Sequence, residues 1–127
     1  MATDTAYQTT KRMPAGVYGR FTGTLCDAQG TALPASSIDS YTLSLETESG
    51  TTINGRDGLT NPAPNVTIQE SGGFLWEIQE EDSSIQDVSS VSVGQIERHV
   101  AVLTWTYPST PTKTGIMRII LECERLS

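Results

Sequence analysis

The residues of this chain that could do chemistry are few and lie far apart in the sequence. There is a single histidine, His99, and there are two cysteines, Cys26 and Cys123. A catalytic serine or cysteine needs a base held beside it, and no GxSxG turn or comparable motif supplies such a pair. One histidine and two cysteines at these spacings also fit no zinc motif. The sequence therefore predicts a protein that is not an enzyme and carries no cofactor and no metal.

The densest group of ionisable side chains is the acidic segment EEDSSIQD at 80–87. Its acidic side chains are candidates for a metal cluster, and Glu77 with Glu80 or Asp82 is a candidate for the carboxylate pair of a glycosidase. Their spacing fits no calcium-binding loop, and a chain of this length is not expected to build a sugar-binding cleft alone. We predict instead a single helical turn or tight corner whose side chains face solvent.

The two cysteines leave two interpretations open. Both lie in or beside predicted strands, where a free thiol behaves as a small apolar side chain. A bridge between Cys26 and Cys123 would instead join an early strand to the last one. The sequence favours free thiols in a reducing cytoplasm.

Bulk composition argues against two classes of partner. The chain has 127 residues, a net charge of −7 and eight basic residues scattered along it. Binding to a nucleic-acid backbone depends on clustered Lys and Arg, so no nucleic-acid specificity is expected. No apolar stretch is long enough to span a membrane, and the first residues lack the apolar core of a signal peptide.

The elements that would position these residues are short strands. Segments such as YTLSLET, FLWEI and HVAVLTWTY alternate apolar and polar residues, which is the strand period, and Ser, Thr and Gly separate them. Asn54-Gly55 is a strong turn signal. We predict an all-β fold, an immunoglobulin-like antiparallel β-sandwich of about seven to nine strands over residues 16–127. Residues 1–15 are polar and are predicted to form a flexible N-terminal arm.

The alternation also predicts the core. Strand 100–107 has two rather apolar faces, which is typical of a central strand. The predicted core side chains are Phe21, Leu25, Tyr41, Leu43, Leu45, Phe74, Trp76, Ile78, Leu103, Trp105, Ile119 and Leu121.

Several segments resemble a known family when they are taken in order. GTLCDAQGTAL, YTLSLET followed by INGRDG, VTIQESGGFLWEIQEEDSSI, ERHVAVLTWTY and GIMRIILECERL cover about residues 16–126. They are similar to the small immunoglobulin-like modules of tailed-phage virion proteins, which occur at necks, capsid surfaces and upper baseplates.

The resemblance implies a structural duty in the virion, with assembly in the bacterial host cytoplasm. The expected partners are copies of the chain itself and other virion proteins, such as portal, adaptor, capsid or tail proteins. The head-tail neck, as a collar or connector, is the preferred position. Capsid decoration and a baseplate or host-adhesion module are the alternatives. Adhesion to carbohydrate would use exposed aromatic side chains, for which the candidates are Tyr7, Tyr18 and Tyr107.

Open sheet edges, the arm and the long loops are the expected contact regions. The arm contributes Tyr7, Lys11 and Arg12, and the loops at 55–65 and 108–114 contribute the remaining candidates. The predicted partner-binding residues in these loops are Arg56, Asp57, Leu59, Pro108, Pro111 and Lys113.

Overall fold

The fold is all-β, with two sheets that enclose one hydrophobic core. The structure, a computed structural model, describes residues 3–109 and 111–127, and side chains from residue 7 onward. The larger sheet has the strand order β1-β8-β7-β3-β4, and the smaller one has the order β2-β6-β5. In chain order the strands are β1 (Thr3–Pro14), β2 (Gly19–Thr24), β3 (Ser40–Thr47), β4 (Thr52–Asp57), β5 (Val66–Ile68), β6 (Gly73–Ile78), β7 (Ile96–Tyr107) and β8 (Lys113–Glu124). A 3-10 turn at Ala35–Ser37 and a four-residue helix, α1 (Glu80–Ser83), complete the elements.

The centre of the larger sheet is the hairpin of β7 and β8. The two strands pair from Ile96–Glu124 to Tyr107–Lys113 without a register shift. Strand β7 is the third of five strands, which confirms the prediction that it is central. Side chains at alternate positions of both strands are buried, because one face of the hairpin covers the core.

The core contains nearly all of the side chains that the alternation predicted. Phe74, Trp76 and Ile78 of β6 face Leu103 and Trp105 of β7 within one buried cluster. Phe21 and Tyr41, which were also predicted as core residues, pack against this cluster but are only half-buried. The remaining predicted core side chains are buried: Leu25, Leu43, Leu45, Ile119 and Leu121.

The prediction of a flexible N-terminal arm is wrong for the residues that the structure describes. Residues 3–14 form β1, which pairs in parallel with β8 from Thr3–Thr114 to Pro14–Glu124. Met13 is buried in the core, and Ala15 N–H donates to Glu124 O at 2.8 Å. The larger sheet is therefore mixed rather than antiparallel. Residues 1 and 2 of the predicted arm lie outside the described residues.

The sequence predicts a turn at Asn54-Gly55, but the structure places this pair inside a strand. The hairpin between β3 and β4 closes at 47–51, where Gly50 has a φ of +95°. Asn54 and Gly55 lie inside β4 with φ values of +53° and +65°. They make a bulge, because Ser44 and Glu46 pair with Asp57 and Thr52. The bulge breaks the alternation and turns Arg56 inward, so that Ile53 and Arg56 are both buried.

Candidate functional site

Four ionisable side chains from different elements meet inside the protein. Arg56 of β4, Asp82 of α1, and Glu97 and His99 of β7 form this group, called here the buried polar cluster. Arg56 Nε donates to Asp82 Oδ1 at 2.6 Å, and Arg56 Nη2 donates to Asp82 Oδ2 at 2.9 Å. Asp82 is 0% exposed and Arg56 is 7% exposed. Arg56 and Asp82 thus form a bidentate ion pair that is shielded from solvent.

Further hydrogen bonds satisfy the rest of the ion pair. Asp82 also accepts from Asn54 Nδ2 at 2.9 Å and from Gln79 N–H at 2.8 Å. Arg56 also donates to Pro64 O at 3.0 Å and to Asn65 Oδ1 at 2.8 Å. A buried ion pair needs such bonds, since the attraction between the charges offsets their desolvation only when the other polar atoms are also paired.

His99 links Asp82 to Glu97. Its Nδ1 lies 2.8 Å from the backbone oxygen of Asp82, which can only accept, so Nδ1 carries a proton. Its Nε2 contacts the carboxylate Oε1 of Glu97 at short range.

Glu97 is held in its ionised form. Burial alone would raise the pKa of Glu97, but hydrogen bonds outweigh this and lower the pKa below its usual value. The donors are Gln86 N–H at 2.7 Å, His99, and Asp87 N–H at 3.0 Å. The carboxylate thereby ties the segment after α1 to β7.

The cluster lies beside a cysteine but has no arrangement for attack on a substrate. Cys123 Sγ lies 3.6 Å from His99 Nδ1, and a carboxylate contacts the other ring nitrogen, as in a cysteine-histidine-carboxylate triad. However, burial, and next the nearby Glu97 charge, raise the pKa of Cys123 to about 12, so the thiol keeps its proton. Cys123 and His99 are both fully buried. The arrangement acts as a cross-link among β4, α1 and β7. Both cysteines are free thiols, so the open possibility of a bridge is not realised.

Sequence reasoning missed this cluster. Arg56 was predicted to contact partners, and that prediction is wrong because its guanidinium is buried on Asp82. The acidic segment does contain the predicted helical turn, but Asp82 points inward instead of facing solvent. The available signal was the Asn54-Gly55 pair directly before Arg56. Such a pair favours left-handed backbone, and the resulting bulge moves the arginine out of the normal alternation.

The remaining predicted contact residues lie at two edges of the larger sheet. Arg12 is exposed and forms an ion pair with Glu124 at 2.7 Å, while Lys11 is half-buried. Since β1 is parallel to β8, the start of β1 lies beside the 108–112 loop, where Pro108 and Pro111 are exposed. Lys113 begins β8 and is half-buried. Thr110 of that loop lies outside the described residues.

The other edge carries the second loop. Asp57 is exposed and accepts a hydrogen bond from Leu59 N–H at 3.0 Å, and the Leu59 side chain is 82% exposed. Strand β4, which holds Asp57, is at the far side of the sheet from β1. The predicted contact residues therefore form two separate surfaces and do not converge on one site.

The aromatic residues considered for carbohydrate binding are also separated. Tyr18 is 66% exposed and Tyr7 is 38% exposed, whereas Tyr107 is buried in the core. Tyr107 is therefore no longer a candidate for contact with a carbohydrate, because it belongs to the buried core cluster.

Comparison of the chain with protein-family models, with curated proteins and with solved structures finds no match. Within residues 3–109 and 111–127, no group of three or more His, Cys, Asp or Glu side chains is arranged to hold a metal ion. In the same part of the chain, no helix has both the length and the apolar character needed to span a membrane.

Glu97 should make the stability of the fold depend on acidity. Because folding lowers the pKa of Glu97, its contribution is present above the ordinary value of 4.5 and is lost as the pH falls through the folded value. We expect Glu97→Gln to lower the free energy of unfolding by about 1–3 kcal/mol at pH 7, as for hydrogen bonds to a charged group. The gap, meaning the difference in the free energy of unfolding between Glu97→Gln and the wild type, should shrink below pH 4.5.

Urea unfolding of both proteins from pH 7 to pH 3 measures this gap. Glu46→Gln is the matched control, since Glu46 is an exposed glutamate on β3, and its gap should stay near zero. A gap for Glu97→Gln that stays constant over the whole range would contradict the assignment.

Proposed function

We propose that this chain is a non-enzymatic structural protein of a tailed-phage virion that assembles in multiple copies at the head-tail neck, as a collar or connector. The observation that carries this proposal is the outer edge of β1, whose backbone pairs with no further strand of the described chain, while the side chains of the buried polar cluster are shielded from solvent. An open edge of twelve residues can accept a further strand.

The strand topology supports the finer proposal of an immunoglobulin-like fold. In that fold, strands G, F, C and C′ form one sheet, and strands B, E and D form the other. The order β8-β7-β3-β4 corresponds to the first sheet, and β2-β6-β5 corresponds to the second. The chain lacks the disulfide between sheets that antibody domains contain, and Trp76 and Trp105 fill the buried seam instead.

Two surfaces suit a subunit that contacts several neighbours. The β1 edge and the loop around Leu59 lie on opposite sides of the larger sheet, so each can face a different molecule. The alternatives, capsid decoration and a baseplate or host-adhesion module, use the same fold. Burial of Tyr107 leaves fewer aromatic side chains for sugar binding and therefore favours the neck over adhesion to carbohydrate.

The copy number in purified particles tests the proposal. Quantitative mass spectrometry of virions should find about a dozen copies, a number compatible with a closed ring at the neck. Hundreds of copies would replace the neck with capsid decoration. Detection in infected cells but never in particles would overturn the virion assignment itself.

A further inference from the structure

The β1 edge differs from the other sheet edges in the described part of the chain. Strand β4 is interrupted by the Asn54-Gly55 bulge, and β5 has only three residues. Strand β2 has six residues, two of them glycines. Bulges and short strands are the usual protection of an edge against further pairing. Strand β1 has twelve residues, and no proline precedes Pro14 at its end.

The hydrogen bond of Ala15 shows which backbone groups of β1 are free to pair. In a parallel pair, the N–H and C=O of one residue point to the neighbour, and those of the next residue point away. Ala15 N–H donates to Glu124 O, and the register from Thr5 to Pro14 is regular. Residues at odd positions therefore bond β8, and those at even positions, namely Gln8, Thr10 and Arg12, point outward. Pro14 also occupies an outward position, where its missing N–H costs no bond to β8.

We propose that two copies of this protein pair through their β1 edges, antiparallel and across a two-fold axis, so that the larger sheets become one continuous sheet. This inference rests on the proposed function in so far as that function requires self-assembly. A second copy is chosen as the partner because the proposed function requires copies to assemble, and because the β1 strand of that copy is the described sheet edge long enough to pair along the whole of β1. Among the described edges, no other strand exceeds six residues.

Charge places the axis near the middle of the strand. Lys11 and Arg12 are the cationic positions of its second half. An axis at Lys11 or Arg12 would set like charges directly opposite one another, which is destabilising. An axis between Gln8 and Thr10 keeps the cations of the two copies apart and pairs uncharged residues. Whether the axis lies at Gln8, at Thr9 or at Thr10, Thr10 N–H donates across the interface.

Strand β1 is expected to remain on its own copy during this pairing. Met13 is buried in the core of its own subunit. The linker after β1 is held at Ala15 by Glu124 O, and at Val17 by two hydrogen bonds with Ser83 Oγ, of 3.1 and 2.8 Å. The inference is therefore edge pairing and not exchange of β1 between copies.

Paired proline substitutions at neighbouring positions test this inference. Thr10→Pro removes an outward N–H, whereas Thr9→Pro removes an N–H that bonds β8. In sedimentation equilibrium, the wild type should have twice the 13.7 kDa mass of one chain. We expect Thr10→Pro to raise the dimer dissociation constant about tenfold or more, because the lost bond occurs twice by symmetry. Urea unfolding at a concentration where the wild type is also monomeric, so that dimerisation adds no stability, should show equal stability for Thr10→Pro and the wild type and a reduced stability for Thr9→Pro.

Hydrogen exchange of the wild type provides a measurement without a substitution. The amides of Gln8, Thr10 and Arg12 should gain protection as the protein concentration rises, while those of Thr9 and Lys11 should be protected throughout. A wild type that stays monomeric at all concentrations would overturn the inference. A dimer that Thr10→Pro leaves unchanged would do so as well.

A cross-linked variant separates edge pairing from strand exchange. Gln8 and Arg118 are register partners and both are exposed, so Gln8→Cys with Arg118→Cys, in a Cys26→Ser background, should lock β1 onto its own β8. Locked chains that still form dimers support edge pairing, and locked chains that stay monomeric overturn it in favour of exchange. Failure here is distinct from failure of the proposed function, since a protein that is monomeric in solution but present in purified virions would refute only the β1 contact.

Discussion

Replacing Asp82 with alanine should lower the free energy of unfolding by about 3–5 kcal/mol, because it leaves a buried guanidinium without its counterion. Asp82 accepts two hydrogen bonds from Arg56, one from Asn54 and one from Gln79 N–H. All four of these hydrogen bonds would be lost inside the protein. Urea denaturation followed by tryptophan fluorescence measures the change, since Arg56 lies 6.0 Å over the Trp76 ring.

The neighbouring carboxylate is the matched control. Glu81→Ala changes an exposed residue of the same helical turn, and its effect should stay within about 0.5 kcal/mol. The double variant Arg56→Met with Asp82→Leu removes both charges and should be less destabilised than Asp82→Ala alone, since no unpaired charge is left. Equal losses for Asp82→Ala and Glu81→Ala would show that the ion pair does not hold α1 to β4.

The second large effect is expected where Gly115 of β8 contacts the Trp105 ring. A Cβ atom on Gly115 would lie 2.2 Å from Trp105 Cε2 and 2.4 Å from Trp105 Nε1, far inside contact distance. Trp105 is 0% exposed, and its Nε1 donates to Cys26 O at 3.4 Å, so a shift of the ring would disturb the core and this hydrogen bond. We expect Gly115→Ala to cost about 3 kcal/mol, at the upper end of the range for overpacking. Thermal unfolding and the near-ultraviolet circular dichroism of the indole measure it.

A second glycine separates this clash from the general effect of adding a methyl group. A Cβ on Gly73 would meet only the flexible end of Gln69 at 2.9 Å. Gly73→Ala should therefore be neutral or slightly stabilising, as alanine is in strands relative to glycine. Trp105→Phe should recover part of the loss when it is combined with Gly115→Ala, because the smaller ring leaves room for the methyl group. No recovery would mean that the cost arises in the backbone of β8.

The proposed β1 contact lies at the edge of the larger sheet, whereas the buried polar cluster lies in the interior. The cluster joins β4, α1 and β7, and Ser83 joins α1 to the linker after β1. These contacts hold the elements together and shield the polar side chains of the cluster from solvent. In the proposed assembly, contacts with neighbouring molecules would then use backbone groups at the sheet edge and the exposed loops.

Local patterning was enough to predict the hairpin and most of the core. The alternation in β7 and β8 predicts which side chains face inward, because strand geometry sends successive side chains to opposite faces. Trp76, Trp105 and Ile119 are buried as that rule requires. Phe21 and Tyr41 are the exceptions and are only half-buried. The strand of Phe21 is at the edge of a three-stranded sheet and is covered less completely.

By itself, then, the amino-acid sequence determined an all-β chain, its central strand and the greater part of its interior. Only the tertiary structure decided that residues 3–14 form a strand parallel to β8, and that Arg56 and Asp82 meet in the interior. The reason is physical: side-chain alternation depends on neighbouring residues, but an edge strand is selected by a distant strand that has free backbone groups. A buried charge is tolerated only where a distant partner neutralises it.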